Sequence, residues 1–130
     1  MAAGNKTLGL LLADDGAAYL HLDALASRLR TQLERGISDL GVPVHVTGLG
    51  SIWSTHFLPE TPRDARAAGA PHDAMVGLAA LLLANGVFCT SPAHLGSLST
   101  AHTEGDVDQT VAAHLQAVAR LIKIGAFTPT

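Results

Sequence analysis

Seven histidines, one cysteine and a serine that follows a glycine are the side chains of this sequence with the clearest chemical potential. Histidine is the commonest metal ligand and the side chain that titrates nearest neutral pH. A helical metal site would place two histidines four residues apart, with or without a glutamate between them. No two of the seven are so spaced. His94 and His102 lie eight residues apart across a loop, and His45 and His56 fall in different extended segments. They read as solvated or hydrogen-bonded histidines, not as a metal site. Ser51 follows Gly50, but "GLGSIW" lacks the second glycine of a nucleophile elbow. "GLG" alone is no dinucleotide motif, because no further glycine or helix follows at the required place. Cys89 lies in the apolar run "GVFC" and reads as a buried, inert thiol. A hydrolase built on Ser51 or Cys89 would need a partnered base, and no spacing supplies one. No residue is assigned as catalytic, cofactor-binding or metal-ligating on these grounds.

The stretch "SLSTAHTEGDVDQTV", residues 97–111, poses the sharpest question. Thr103 and Asp106 stand three apart, as a hydroxyl N-cap and an acid do in a capping box. His102 directly precedes the cap. A histidine there can hydrogen-bond loop carbonyls while the box orders the helix start. His102, Thr103 and Asp106 therefore read as a structural junction rather than a catalytic group.

The elements that must hold these residues follow from periodicity. Residues 2–13 read as a weak helix, apolar on most sides, broken at Asp14, Asp15 and Gly16. Leu22, Leu25, Leu29, Leu33, Ile37 and Leu40 recur every three or four residues and predict a helix over 17–40. Val42, Val44 and Val46 then alternate with Pro43, His45 and Thr47. With "SIWSTHFL" this predicts two strands around the "GLG" turn. Three prolines mark 59–71 as a loop. A helix is expected over 72–85, stopped at Asn85-Gly86, then a short strand "VFCT", a loop "SPAHLG" and a strand "SLST". Val107, Val111, Leu115, Val118 and Ile122 form the expected stripe of a last helix. The pattern is α+β: a small antiparallel or mixed sheet with helices packed on one face.

Bulk properties narrow the function. The chain has 130 residues, one domain's worth. A net charge of −3 without a basic cluster excludes a nucleic-acid surface. The N-terminal run "LGLLLA" is too short to cross a membrane. A lone cysteine fits a reducing, cytoplasmic setting. Hydrophobic content of 48% with only 15% charge implies apolar surface meant for another domain or chain.

Three stretches together resemble one known family. "GSIWSTHF" (50–57) is similar to the Gly-Ser-Met-Phe strand of the glutamate-1-semialdehyde aminomutases. "LLLANGVFCTSPAHLGSLSTAHTEGDVDQTV" (81–111) is similar to their helix, Gly-Val-Tyr strand, Pro-Ser loop and Ser-x-Ala-His-Thr-Glu-x-Asp-Ile-Asp segment. "MAAGNKTLGLL" (1–11) resembles the Ala-Met-Ala-Ala-Gly helix linking their two domains. The family comprises class III, fold-type I pyridoxal-phosphate enzymes, typically dimers. The resemblance implies that residues 1–15 end the interdomain linking helix and that 16–130 are the C-terminal small domain. That domain helps close the active site but does not hold the cofactor.

The Schiff-base lysine, the acid on the pyridine nitrogen and the phosphate cradle would all precede Met1, so the chain reads as an internal start or a truncated product. Neither Lys6 nor Lys123 matches the lysine motif. The partner implied is the missing cofactor domain or a second subunit. Pyridoxal phosphate is expected in the full-length family and not on this chain alone. Two departures stand out. His94 occupies the place of a loop glutamate at the active-site mouth, near which Ser51 is also expected. Cys89-Thr90-Ser91 replaces the Arg-Pro pair that many ω-aminotransferases use to hold an acceptor carboxylate. The alternative reading is a stand-alone α+β interaction or dimerisation module.

Overall fold

The structure, a computed structural model, describes residues 2–68, 74–90 and 95–127. Helix α1 (Ala2–Leu12) runs into a tight turn, Ala13–Gly16, in which Asp14 and Asp15 both adopt left-handed backbone angles. Helix α2 (Ala17–Asp39) follows and buries Leu22, Leu25, Leu29, Leu33 and Ile37, the stripe that its periodicity predicts. Its end is a Schellman motif: Gly41 has φ +79°, its N–H donates to the Ser38 carbonyl, and the Val42 N–H donates to the Ile37 carbonyl.

β1 (His45–Leu49) and β2 (Ile52–His56) form an antiparallel hairpin, and β3 (Leu95–Ser97) pairs antiparallel with the other edge of β2. The sheet order is β1-β2-β3. Val46, Trp53, Thr55 and Gly96 turn to the covered face, where α2 packs, while Leu49, Ile52 and Leu95 stand exposed on the other. The expected architecture, a small sheet covered by helices on one face, is the one observed, and every pairing among the described strands is antiparallel.

The extended segments differ in detail from expectation. Gly48 belongs to β1, and the hairpin turns instead on Gly50-Ser51. Gly50 alone of that pair has positive φ, which suits a two-residue loop with glycine at its first position. "VFCT" is not a strand: among the described residues it makes a single bridge, Thr90 to Leu95. β3 lies two residues upstream of the expected "SLST". Its register sets Gly96 opposite Trp53, and any side chain at Gly96 would run into the indole ring. Residues 99–102 turn instead, with the His102 N–H on the Ser99 carbonyl at 3.0 Å.

Helix α3 (Ala65–Ala68) interrupts the expected loop, its start held by the Asp64 carboxylate accepting from the Ala67 N–H at 2.7 Å. Helix α4 (Ala74–Ala84) ends at Asn85-Gly86 as expected, through the same Schellman pairing that closes α2. Helix α5 (Glu104–Lys123) packs on both α2 and α4. No described helix is long and apolar enough to cross a membrane.

Candidate functional site

The start of α5 is built as the sequence suggests. Thr103 is the N-cap; its hydroxyl oxygen accepts from the Asp106 N–H at 3.3 Å, and Asp106 accepts from the Thr103 N–H at 2.8 Å. The Thr103 hydroxyl also donates to the Asp106 carboxylate at 2.7 Å, and this bond first, then the one from the Thr103 N–H, holds the Asp106 carboxyl below the usual carboxylate range. His102 sits one residue before the cap, but its ring does not donate to a loop carbonyl through Nδ1. That nitrogen accepts from the Ser99 N–H at 2.9 Å, with the Ser99 hydroxyl also at 2.9 Å. The neutral ring therefore carries its proton on Nε2. The backbone carbonyl of His102 accepts from His21 Nε2 at 3.2 Å, which ties the junction to α2. One turn on, Arg28 of α2 reaches Asp108 of α5 through Nε at 3.1 Å and Nη2 at 3.0 Å, and Glu104 at 3.5 Å. Such an exposed grip orients two helices more than it stabilises them.

Beside this junction lies a cavity of about 160 Å³, lined by Trp53, Cys89, Ser97, His102, Asp106 and Gln109 among others. It gathers three residues singled out from sequence, Cys89, His102 and Asp106. Burial pushes the Cys89 thiol up, so it stays protonated and weakly nucleophilic at neutral pH. The cavity is lined by polar and apolar side chains, but its one thiol is not an activated nucleophile.

The other expected site residues lie elsewhere. Ser51 is at the tip of the β1–β2 hairpin, where its carbonyl accepts from the Leu98 N–H at 2.9 Å and the neighbouring Gly50 carbonyl accepts from Arg30 at 3.3 Å. His94 lies outside the described residues, as does His72. His45 and His56 are directly opposite one another in the hairpin register. Among the described residues no group of three or more His, Cys, Asp or Glu could hold a metal ion.

His114 escaped the sequence reading. It is buried in α5, its Nδ1 donates to the Thr110 carbonyl at 2.8 Å, and its ring meets Trp53 edge-on at 5.3 Å. Burial drops its pKa to about 4. The helix buries Val107, Val111, His114, Val118 and Leu121. The expected stripe stepped over the histidine to Leu115, although the spacing of four and three from Val107 and Val111 already led to position 114.

The described residues do not fit pyridoxal phosphate. Lys6 and Lys123 are exposed on α1 and α5, and neither lines the cavity. No cofactor chemistry is assigned to them.

No protein-family model matches the chain. Among curated proteins, it is 35% identical over 126 residues to a glutamate-1-semialdehyde 2,1-aminomutase of Anaeromyxobacter sp. (strain Fw109-5), covering 95% of this chain and 29% of that protein. Among solved structures, an ω-transaminase from Sphaerobacter thermophilus is 32% identical with a TM-score of 0.73, over 80% of this chain and 24% of that one. A glutamate-1-semialdehyde aminomutase from Pseudomonas aeruginosa PAO1 superposes with a TM-score of 0.74 over 85% of this chain and 24% of that one. At 24% identity that likeness speaks for the fold alone. The chain thus spans under a third of the length of the proteins that it matches.

Proposed function

Because this chain is a relative of the C-terminal part of the glutamate-1-semialdehyde aminomutases and class III aminotransferases, we propose that it serves as the small domain of such an enzyme. In this reading residues 1–15 end the linking helix and 16–130 pack beside a pyridoxal-phosphate domain, helping to close its active site. Ser51 at the hairpin tip and His94, which precedes β3 in the sequence, belong to the active-site mouth in this reading, where His94 tunes substrate choice rather than chemistry. His102, Thr103 and Asp106 hold the junction behind them. The reaction is amino-group transfer or migration in a dimeric, cytoplasmic enzyme, and this chain contributes none of the catalytic residues.

The match of 95% of the chain to under a third of the relative carries this reading. Surface chemistry supports it. Helix α1 buries no residue, and Leu8, Leu10 and Leu12 are all more than half exposed. Leu49, Ile52 and Leu95 stand together on the uncovered sheet face. A larger neighbour would cover both surfaces.

The test is an exchange. The corresponding C-terminal part of the Anaeromyxobacter aminomutase is replaced by these 130 residues, and the purified chimera is assayed for bound cofactor and aminomutase turnover. A folded, cofactor-loaded chimera with turnover is the expected result. A chimera that folds and binds cofactor but leaves the small domain undocked, as read by protease cleavage at the junction, overturns the proposal.

A further inference from the structure

His45 presents one nitrogen to two partners that ask opposite things of it. Its Nδ1 lies 3.2 Å from Glu34 Oε1 of α2 and 3.1 Å from the Thr61 hydroxyl of the loop after β2. A carboxylate only accepts, so Glu34 is satisfied when Nδ1 carries a proton. The Thr61 hydroxyl can donate to Nδ1 only when that nitrogen is bare. A protonated Nδ1 directs its single hydrogen to the stronger acceptor, and a charge-assisted bond to carboxylate outranks one to a hydroxyl.

We propose that His45 Nδ1 is a proton-operated latch on the loop of residues 58–64: bare, it accepts a hydrogen bond from the Thr61 hydroxyl and pins the loop to β1; protonated, it donates to Glu34 and frees the loop. The surroundings make the two states unequal in charge. His56 stands directly across the hairpin from His45, with its own Nε2 2.9 Å from the Thr47 hydroxyl. Burial first, and then the nearby His45, hold the His56 pKa down. From α2 the facing charge is Glu34; Arg30, one turn earlier, is turned to the Gly50 carbonyl. The loop itself carries Glu60, Arg63 and Asp64, and Asp64 is committed to the start of α3. Two prolines, Pro59 and Pro62, fix the backbone on either side of Thr61, so the Thr61 attachment bears on its neighbours in the loop.

The experiment is a pH titration of the 130-residue chain by NMR, reading the His45 ring and the amide exchange of Glu60, Thr61, Arg63 and Asp64. Thr61→Val removes a donor to the neutral ring and is expected to raise the His45 pKa. Glu34→Gln keeps an acceptor oxygen but removes the negative charge that favours the protonated ring, and is expected to lower it. In the unaltered chain, loop protection, corrected for intrinsic exchange, is expected to fall about tenfold as His45 protonates, the worth of one hydrogen bond. In Glu34→Gln that fall moves to lower pH, and in His45→Gln it disappears while the sheet amides keep their protection. Loop protection that stays constant while His45 titrates, or variants that shift its pKa in the same direction, overturns the latch.

Discussion

At the scale of single residues, His114 is a titratable side chain buried in the core. It is buried against Trp53 with Nδ1 on its own helix. Its pKa is about 4 in the fold, against an ordinary histidine value of about 6.5. The unfolded chain therefore binds a proton first. Stability is complete above about pH 6.5, falls as pH drops through the interval to about 4, and levels off below it. The loss from this residue is about 3 kcal/mol, by the worth of each pKa unit. Urea denaturation of the chain against its His114→Leu variant at pH 7.5, 5.5 and 4 checks this. The variant is expected to lose the acid-dependent part of the destabilisation, and parallel curves would refute the assignment.

Gly96 makes a second prediction. A Cβ there would overlap the Trp53 ring that crosses it. Gly96→Val is expected to cost roughly 1–3 kcal/mol and to shift the emission of Trp53, the chain's single tryptophan. Neither residue was singled out from the sequence. The spacing from Val107 and Val111 led to position 114, but a polar side chain there reads as a break in the stripe. Gly96 gave no local signal, because its reason lies on another strand.

Between residues and the whole chain stand the elements, and their readability follows how local their causes are. The helices α2 and α5 are written in their own periodicity, and the α5 start in a four-residue box. Thr103→Ala removes that cap and is expected to cost about 1 kcal/mol. Thr103→Ser, which restores the hydroxyl, should recover most of it. Thermal melts of the three proteins decide the point, and equal midpoints would mean that the cap contributes nothing. The strands read less well. Val42, Val44 and Val46 do alternate into the core, yet pairing begins only at His45. "VFCT" has the composition of a strand, but β-propensity describes a fit to neighbours, and among the described residues its one bridge is Thr90 to Leu95. The position of β3 was set by Trp53 on β2, a contact some 40 residues away in sequence that no window could show. Helix α3 lay hidden among prolines because its cap, Asp64, acts over a single turn.

Over the whole molecule, the low charge and high hydropathy find their counterpart on the surface. Leu10, Leu12, Leu20, Leu49, Val76 and Phe88 are each at least 60% exposed. The candidate site was only partly readable from sequence: the α5 junction was local and could be seen, whereas the cavity beside it assembles β2, the segment after α4, β3 and α5.

The last prediction concerns what this chain does with pyridoxal phosphate. Amino-group transfer on that cofactor needs a positioned lysine, an acid at the ring nitrogen and a phosphate cradle. Lys6 and Lys123 are exposed on separate helices, at opposite ends of the sequence, and neither borders the cavity. An exposed amine reacts with the aldehyde but supplies neither proximity nor a preorganised field, each ordinarily responsible for several kcal/mol of barrier lowering. The purified chain, mixed with pyridoxal phosphate, an amino donor and a keto acceptor, is therefore expected to transfer amine no faster than the cofactor does in buffer. A rate well above that background, lost in Lys6→Ala or in Lys123→Ala, would show that one of these lysines is a catalytic group and would remove the ground for placing the catalytic residues outside this chain.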